Sequence, residues 1–422
     1  MSKYRALRGM PDILPGEADI FFQIENKARE VFNLFEFSEI RTPMLEETEV
    51  FTRSIGEDTD IVEKEMYSFS DRGGKNISLR PEGTASIIRA YIQHGLKNAH
   101  DILKLFYIGP MFRAERPQKG RLRQFHQIGA EIIGASDPVI DVELILNAKA
   151  VLENIGVRDF EIGLNTLGCA KDRTEYKEKL KSFLSGKVSE LCENCRRRLS
   201  TNVLRVFDCK SRGCKAVVEQ APVILDELCG KCRVSYEDLL GMLKKTVVNV
   251  KQRTDLVRGL DYYTGPIFEI THPLLGAQDA IAAGGRYDVL TRQMGGPDVG
   301  ATGYSIGIER LLLAIEGDLR PREDGVLVIA VDADSRDDVL AMAGRLRSSG
   351  IACSMDSLGR SLKSSMRRAN KEKRRYVVLI GEDEKRSETY LLKDMKKGLE
   401  KSLPFDEILK VLQPKGKNVK DT

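Results

Sequence analysis

Residues Gly109 to Glu131 read GPMFRAERPQKGRLRQFHQIGAE and follow an apolar run from Ile102 to Ile108. The pattern predicts a strand, a basic loop and a second strand. Side chains alternate across a strand, so Met111, Arg113 and Glu115 share one face of the first arm. On the second arm Phe125, Gln127, Gly129 and Glu131 share one face, and His126, Ile128, Ala130 and Ile132 share the other. The first of those faces offers a ring, an amide, a gap and a carboxylate where a structural strand would offer valine or leucine. Between the arms, Arg116, Lys119, Arg121 and Arg123 crowd a loop that turns at Gly120. Like charges so close repel one another, which points to an anion among them. A guanidinium fork suits phosphate, and a flat ring such as Phe125 suits stacking on a base. The alternative is a solvated basic hairpin with one half-buried carboxylate.

The rest of the chain sets bounds on that reading. At 422 residues it should hold two or three domains, and 41% hydrophobic with 31% charged residues describes a soluble globular protein. Net charge is only +4, so nucleic-acid binding must come from local patches. The N-terminus MSKYRALRGMPDILPG has no apolar core of signal-peptide length, and no run approaches a membrane span. A cytoplasmic location is expected. Six of the eight cysteines lie between Cys192 and Cys232, and in a reducing compartment they call for some reason other than disulfides.

Residues 17–37 carry apolar positions at helical spacing (Ile20, Phe21, Ile24, Ala28, Val31, Phe32, Phe35), followed by a strand SEIRTPML. Pro43 inside it removes a ladder donor and suits an edge, a bulge or a subunit boundary. A hairpin, EMYSF–DRGGK–NISL, leads to Arg80-Pro81-Glu82-Gly83-Thr84 and a helix from Ala85 to Gln93. Thr84 is a natural N-cap there, and Glu82 gains from the helix dipole. A helix is expected from Asp137 to Ile155 and a strand within 159–168. From Cys169 to about Leu243 the chain turns helical and highly charged, which reads as an insertion spanning about 169–250. Cys192-x-x-Cys195 and Cys229-x-x-Cys232 are two knuckle pairs whose thiolates would close a tetrahedral structural zinc site, with Cys209 and Cys214 able to replace one pair. Six reduced thiols without metal are the alternative. Residues 256–265, LVRGLDYYTG, read as a strand that sends Tyr262 and Tyr263 to opposite faces, so at most one reaches a given pocket. Residues 300–313, GATGYSIGIERLLL, read as strand into helix, a place where anions settle. After a polar linker at 316–325, strands and helices alternate as in a compact α/β domain. Its stretch Arg360 to Arg375 has eight basic residues against Glu372 alone, the footprint expected for RNA.

The hairpin FRAERPQ…GRLRQFHQ, with its glutamate four residues after the glutamine, resembles motif 2 of class II aminoacyl-tRNA synthetases in the form found in the histidyl-tRNA synthetase family. LRPEGT, LVRGLDYYTG, AGGRYD and the glycine-rich run ending in Glu309-Arg310 are similar to further motifs of that family, so the likeness covers nearly the whole chain. The resemblance implies an α+β catalytic domain built on an antiparallel sheet (1–320), a helical insertion, and a C-terminal α/β anticodon-binding domain (325–422). It implies ATP-dependent activation of histidine, with Mg²⁺ on the outer phosphates, and transfer to the 3′ end of tRNA(His). Arg113 and Arg258 would be catalytic. Glu82, Gly83, Thr84, Gln127, Glu131, Arg258, Tyr262 and Tyr263 would bind histidine; Arg113, Glu115, Arg121, Phe125 and Arg310 would bind ATP. Arg116, Gln118 and Arg123 would meet the tRNA acceptor end, as would Arg196-Arg197-Arg198 of the insertion, and Pro43 would mark a homodimer interface. Zinc at Cys192, Cys195, Cys229 and Cys232 is outside what the resemblance implies. Two other readings are a histidine-binding regulatory relative that has lost catalysis, and an RNA-binding sensor. Arg113, Arg310 and the domain after 325 argue against the first, and the complete histidine-pocket set argues against the second.

Overall fold

The structure is a computed structural model that describes residues 4–56, 59–246, 248–276, 279–315, 319, 325–356 and 361–413. The chain divides into two compact units, Met1–Leu319 and Arg320–Thr422. The linker expected at 316–325 lies almost wholly outside the described residues.

In the first unit, α1 (Pro15–Leu34) begins on a proline at its first turn, where the missing N–H costs no bond, and buries Phe21, Ile24, Ala28, Val31 and Phe32. The chain then forms β1 (Ser38–Glu39) and β2 (Leu45–Glu47), α2 (Thr48–Ile55), β3 (Tyr67–Ser70), β4 (Asn76–Leu79) and α3 (Thr84–Gln93). The expected strand SEIRTPML is therefore two short strands in different sheets, and Pro43 lies exposed between them. The long hairpin β5 (Leu103–Phe112) and β6 (Gln124–Ile133) is followed by α4 (Pro138–Ile155), β7 (Glu161–Thr166), the insertion helices α5 (Ala170–Ser185), α6 (Glu193–Arg198), α7 (Arg212–Val218) and α8 (Gly230–Lys245), and β8 (Val250–Gln252). β9 (Pro266–Thr271), β10 (Ala280–Arg286), α9 (Leu290–Gln293), β11 (Ala301–Gly307) and α10 (Ile308–Ala314) complete the unit.

Eight strands form one sheet in the order β1-β5-β6-β11-β10-β9-β7-β8, antiparallel except at its two outer pairs. The period-two pattern of β6 works as expected: Ile128, Ala130 and Ile132 enter the core under α1 and α4. The opposite face belongs to a second core with Tyr107, Met111, Tyr262, Tyr263 and Tyr287. α4 is capped by Asp137, which accepts from the Val139 N–H at 2.9 Å, and ends where Gly156 turns left-handed.

The second unit has strands β12 (Val326–Ala330), β13 (Cys353–Met355), β14 (Tyr376–Ile380), β15 (Tyr390–Asp394) and β16 (Leu399–Leu403), with helices α11 (Arg336–Ser348), α12 (Leu362–Lys371), α13 (Glu382–Ser387) and α14 (Phe405–Leu412). The sheet order is β13-β12-β14-β15-β16, parallel around β12 and antiparallel beyond β14. Strand β16 is absent from the sequence reading because LEKSL is largely polar and exposed. α12 ends at Lys371, and the chain then reverses at Lys373, which is left-handed. Among the described residues no helix is long and apolar enough to cross a membrane.

Candidate active site

A cavity of about 590 Å³ opens beside the β5–β6 hairpin. Phe125 and Gln127 of β6 line it, as the alternation requires, together with Arg113, Glu115 and Arg121 of the connecting loop. The gap at Gly129 has a structural cause. Gly129 faces Tyr107 across the hairpin, and a Cβ there would lie 2.2 Å from the tyrosine ring. Tyr107 thus lies over the strand and reaches the cavity, a site residue hidden in the sequence within an apolar run.

Arg113 Nε donates to the Pro81 carbonyl at 2.9 Å, and its guanidinium lies 5.3 Å from the Phe125 ring centre. Arg121 pairs with Glu115 at 3.1 Å. Arg310 also lines the cavity, and burial together with the nearby Arg121 charge pulls its pKa below the ordinary value. Two guanidinium groups that raise the cost of charging each other beside one cavity are suited to an anionic ligand. Arg116 and Gln118 are exposed on the loop rather than in the cavity wall. Arg123 is also outside the wall: its Nε donates to the Glu115 carbonyl and its backbone N–H to Gly9.

Residues 256–265 are not a strand. The segment is an irregular loop fixed by Arg173, which donates to the carbonyls of Asp261 and Tyr263, and by Asn202, which donates to the Asp261 carboxylate. Freed from strand alternation, both Tyr262 and Tyr263 line the cavity, with ring centres 4.7 Å apart. Arg258 from the same loop pairs with Glu269 at 3.0 Å and packs over Tyr263. Its Nε is buried without a hydrogen-bond partner among the described residues.

Glu82 replaces Thr84 as the cap of α3: its two carboxylate oxygens accept from the N–H groups of Thr84 at 2.7 Å and Ala85 at 2.9 Å. Gly83 is the residue before the helix, packed flat on the Tyr107 ring. The Thr84 hydroxyl instead donates to Glu131 at 2.6 Å. Glu131 is fully buried, one layer behind Thr84 and Gly303 of the cavity wall. Burial pushes its carboxyl up to about 8, against the opposing pull of its hydrogen bonds from Thr84 and Tyr287. Only glycine fits at 303, because a Cβ would lie 1.5 Å from the Glu131 carboxylate. Tyr287, of the AGGRYD string, received no role from the sequence; its hydroxyl donates to Glu131, and its neighbour Arg286 is buried in a 2.7 Å ion pair with Asp141.

Several cavity residues come from elements that sequence reasoning did not connect to the site. Glu65 lines the wall, its carboxyl pushed up mainly by burial. From the insertion come Arg198, Arg205, Asp208 and Lys210. Arg196 is instead engaged by the carbonyls of Val188, Ser189 and Leu191, and Arg197 is exposed. The zinc set expected at Cys192, Cys195, Cys229 and Cys232 is not one site. Cys192 and Cys195 cluster with Cys209 and Cys214, while Cys229 and Cys232 cluster with Cys169 and Asp172. The cause is that α6 and α8 carry the two pairs to different parts of the insertion.

A family model described as histidyl-tRNA synthetase matches residues 9–311, and one described as anticodon binding domain matches residues 325–415. The chain belongs to the histidyl-tRNA synthetase family. It is 44% identical to the histidine–tRNA ligase of Halothermothrix orenii, over 97% of this chain and 99% of that one. It is likewise 44% identical to the histidine–tRNA ligase of Thermodesulfovibrio yellowstonii, over 98% and 99%. The solved structure of apo histidyl-tRNA synthetase from S. aureus superposes with a TM-score of 0.80 at 30% identity, covering 97% of this chain and 99% of that one. The class II architecture expected from the hairpin is thus the fold observed, and the histidyl-tRNA synthetase motifs cluster around one cavity.

Proposed function

We propose that this chain is a histidine–tRNA ligase: it joins L-histidine to ATP as histidyl-adenylate, releasing pyrophosphate, and then transfers histidine to the 3′ end of tRNA(His). The observation that carries this reading is one cavity with guanidinium groups along its wall and the buried carboxyl of Glu131 behind it. The histidine carboxylate must approach the α-phosphate, and two anions repel. Arg113 and Arg258 relieve that repulsion as the pentavalent transition state forms, fixed in place by Pro81 and Glu269 and therefore reorganising little. Arg258 lines the cavity, so its guanidinium supplies donors to a ligand oxygen there. Arg121 and Arg310 hold the outer phosphates, Glu115 sits beside them, and Phe125 stacks on adenine with Arg113 behind it. Glu65 and Glu115 offer the hard oxygen donors that Mg²⁺ prefers, and the ion would neutralise charge on the outer phosphates.

At the amino-acid end, Glu82, Gly83 and Thr84 meet the amino group, Gln127 the carboxylate region, and Glu131, Tyr262 and Tyr263 the imidazole. Arg116, Gln118 and Arg123 remain assigned to the tRNA acceptor end, with Arg123 acting through the position of the loop. Histidine-dependent ATP–pyrophosphate exchange tests the whole reading: its absence in purified, magnesium-supplied protein refutes it.

Residues 1–320 are proposed as the catalytic domain, with the insertion at about 169–250, and 325–422 as the anticodon-binding domain. Arg368 and Arg374 pair with Glu372, and Arg375 with Asp394, so the RNA-facing charge falls to exposed Lys363, Arg367, Lys371 and Lys373. Deleting 325–422 should spare adenylate formation and lower charging of tRNA(His) by at least about a hundredfold, through loss of those phosphate and base contacts. Unchanged charging would remove the assignment. A homodimer completes the reading. β1 is an edge strand, and a second cavity beside Pro43, lined by Glu46, Arg89 and Met294, is open to a partner. Sedimentation should give twice the chain mass, and a stable monomer at micromolar concentration counts against it. A cytoplasmic location is supported by eight free cysteines, and cell fractionation checks it. Structural zinc stays part of the proposal with its ligands regrouped.

A further inference from the structure

The proposed reaction uses no thiol, yet seven of the eight cysteines gather in two places in the insertion. Cys192, Cys195, Cys209 and Cys214 bring four sulfur atoms within 4.8 Å of one another, with Cys195 and Cys214 fully buried. A regular tetrahedron with metal–sulfur bonds of about 2.3 Å has sulfur–sulfur edges of about 3.8 Å. Cys192 Sγ and Cys209 Sγ stand 3.8 Å apart. The backbone N–H of Cys192 donates to Cys214 Sγ at 3.2 Å, the kind of outer bond that orients a thiolate ligand. Cys169, Asp172, Cys229 and Cys232 form a second group with ligand atoms within 4.8 Å of one another. It joins the first turns of α5 and α8, where the insertion leaves the sheet. Asp172 also accepts from the Cys169 N–H at 3.2 Å.

Packing alone accounts poorly for both groups. α6 and α7 have six and seven residues, too short to persist as isolated helices, and the first cysteine group ties their N-terminal ends together. Charge fits as well. A dication on four thiolates carries a net charge of about −2, and so does one on three thiolates and a carboxylate. Around the first group, residues 192–215 hold seven arginines and lysines against Glu193 and Asp208.

We propose that the insertion holds two structural zinc ions, one on Cys192, Cys195, Cys209 and Cys214 and one on Cys169, Asp172, Cys229 and Cys232, and that the first fixes the insertion's part of the cavity wall. Thiolate-rich tetrahedral sets select zinc over magnesium or calcium, and four protein ligands leave no open position for chemistry. Cys209 lies between Asp208 and Lys210, which line the cavity, as do Arg198 and Arg205. Arg205 bridges Asp208 and Asp60 at 2.8 Å each. A metal at the first group therefore sets where these side chains stand. That consequence rests on the synthetase reading of the cavity; the metal content does not.

The test is elemental analysis of the full-length protein purified without chelator, combined with thiol titration. About two zinc ions per chain are expected, with the seven clustered thiols protected from a disulfide reagent until a chelator is added. Cys209→Ser with Cys214→Ser should lose one ion, and Cys229→Ser with Cys232→Ser the other. Zinc below about a tenth of an equivalent in the wild type, or clustered thiols that react as fast as Cys353 without chelator, overturns the proposal. One ion lost only with the first pair overturns the Asp172 centre; one lost only with the second pair overturns the four-cysteine centre. Should the variants fail to fold, wild-type content and thiol protection decide. Histidine-dependent exchange by zinc-free protein would keep the synthetase reading and sink this one. Two zinc ions without exchange would do the reverse.

Discussion

Replacing Arg258 with histidine should lower histidyl-adenylate formation by at least about a hundredfold, the usual cost of removing a preorganised donor to developing charge. The arginine is held by Glu269 at 3.0 Å and lies over Tyr263, so its position does not depend on bound substrate. Histidine is shorter, with no fork to span two oxygens, and Glu269 would lose its partner. The loss should fall on kcat more than on the KM for histidine, because the guanidinium serves the transition state. Single-turnover adenylate formation checks this, and a rate within about threefold of wild type takes Arg258 out of the mechanism.

Glu131→Gln should raise the KM for histidine by about a hundredfold and abolish the alkaline branch of the pH dependence that the wild type should show. With its carboxyl pushed up to about 8, the empty pocket carries a neutral acid below that pH and a carboxylate above it. The free imidazole titrates near about 6.5. On the proposed reading the complex holds one proton shared by the ring and the Glu131 carboxyl, relayed by the Thr84 hydroxyl of the cavity wall that bonds Glu131. From about 6.5 to 8, one proton is already present before binding, on Glu131, and affinity is flat. Above about 8 a proton must be taken up, and below about 6.5 one must be released, so affinity falls about tenfold per pH unit on either side. Glutamine keeps a hydrogen-bonding amide but cannot supply or accept that proton, so the slope above about 8 vanishes in the variant, while the slope below about 6.5, which belongs to the free imidazole, remains. Titration of the histidine amino group at high pH remains in both proteins and serves as the control. A wild-type KM that rises above about pH 8 no more than that control sinks the assignment of Glu131 to the imidazole.

The hairpin that shapes the site was legible residue by residue. Alternation placed Phe125 and Gln127 in the cavity and Ile128, Ala130 and Ile132 in the opposite core, because a strand with one apolar face has only one register that buries it. The same rule misled at residues 256–265. Tyr262 and Tyr263 both face the cavity because Arg173 and Asn202, distant in sequence, hold that segment as a loop. Thr84 had the local chemistry of a helix cap, but a buried carboxyl 47 positions onward claimed its hydroxyl, and Glu82 took over the cap.

By itself, then, the sequence determined what depends on neighbours along the chain: the β5–β6 hairpin, helices α1 and α4, the alternating C-terminal unit and the motifs of the family. The tertiary structure alone decided which cysteines stand together, why position 129 is empty of a side chain, and that Tyr107, Glu65 and Tyr287 belong with the site. Those choices are made by contacts between residues far apart in sequence. Their energies depend on burial and on the partner met across the fold, and no local pattern encodes either.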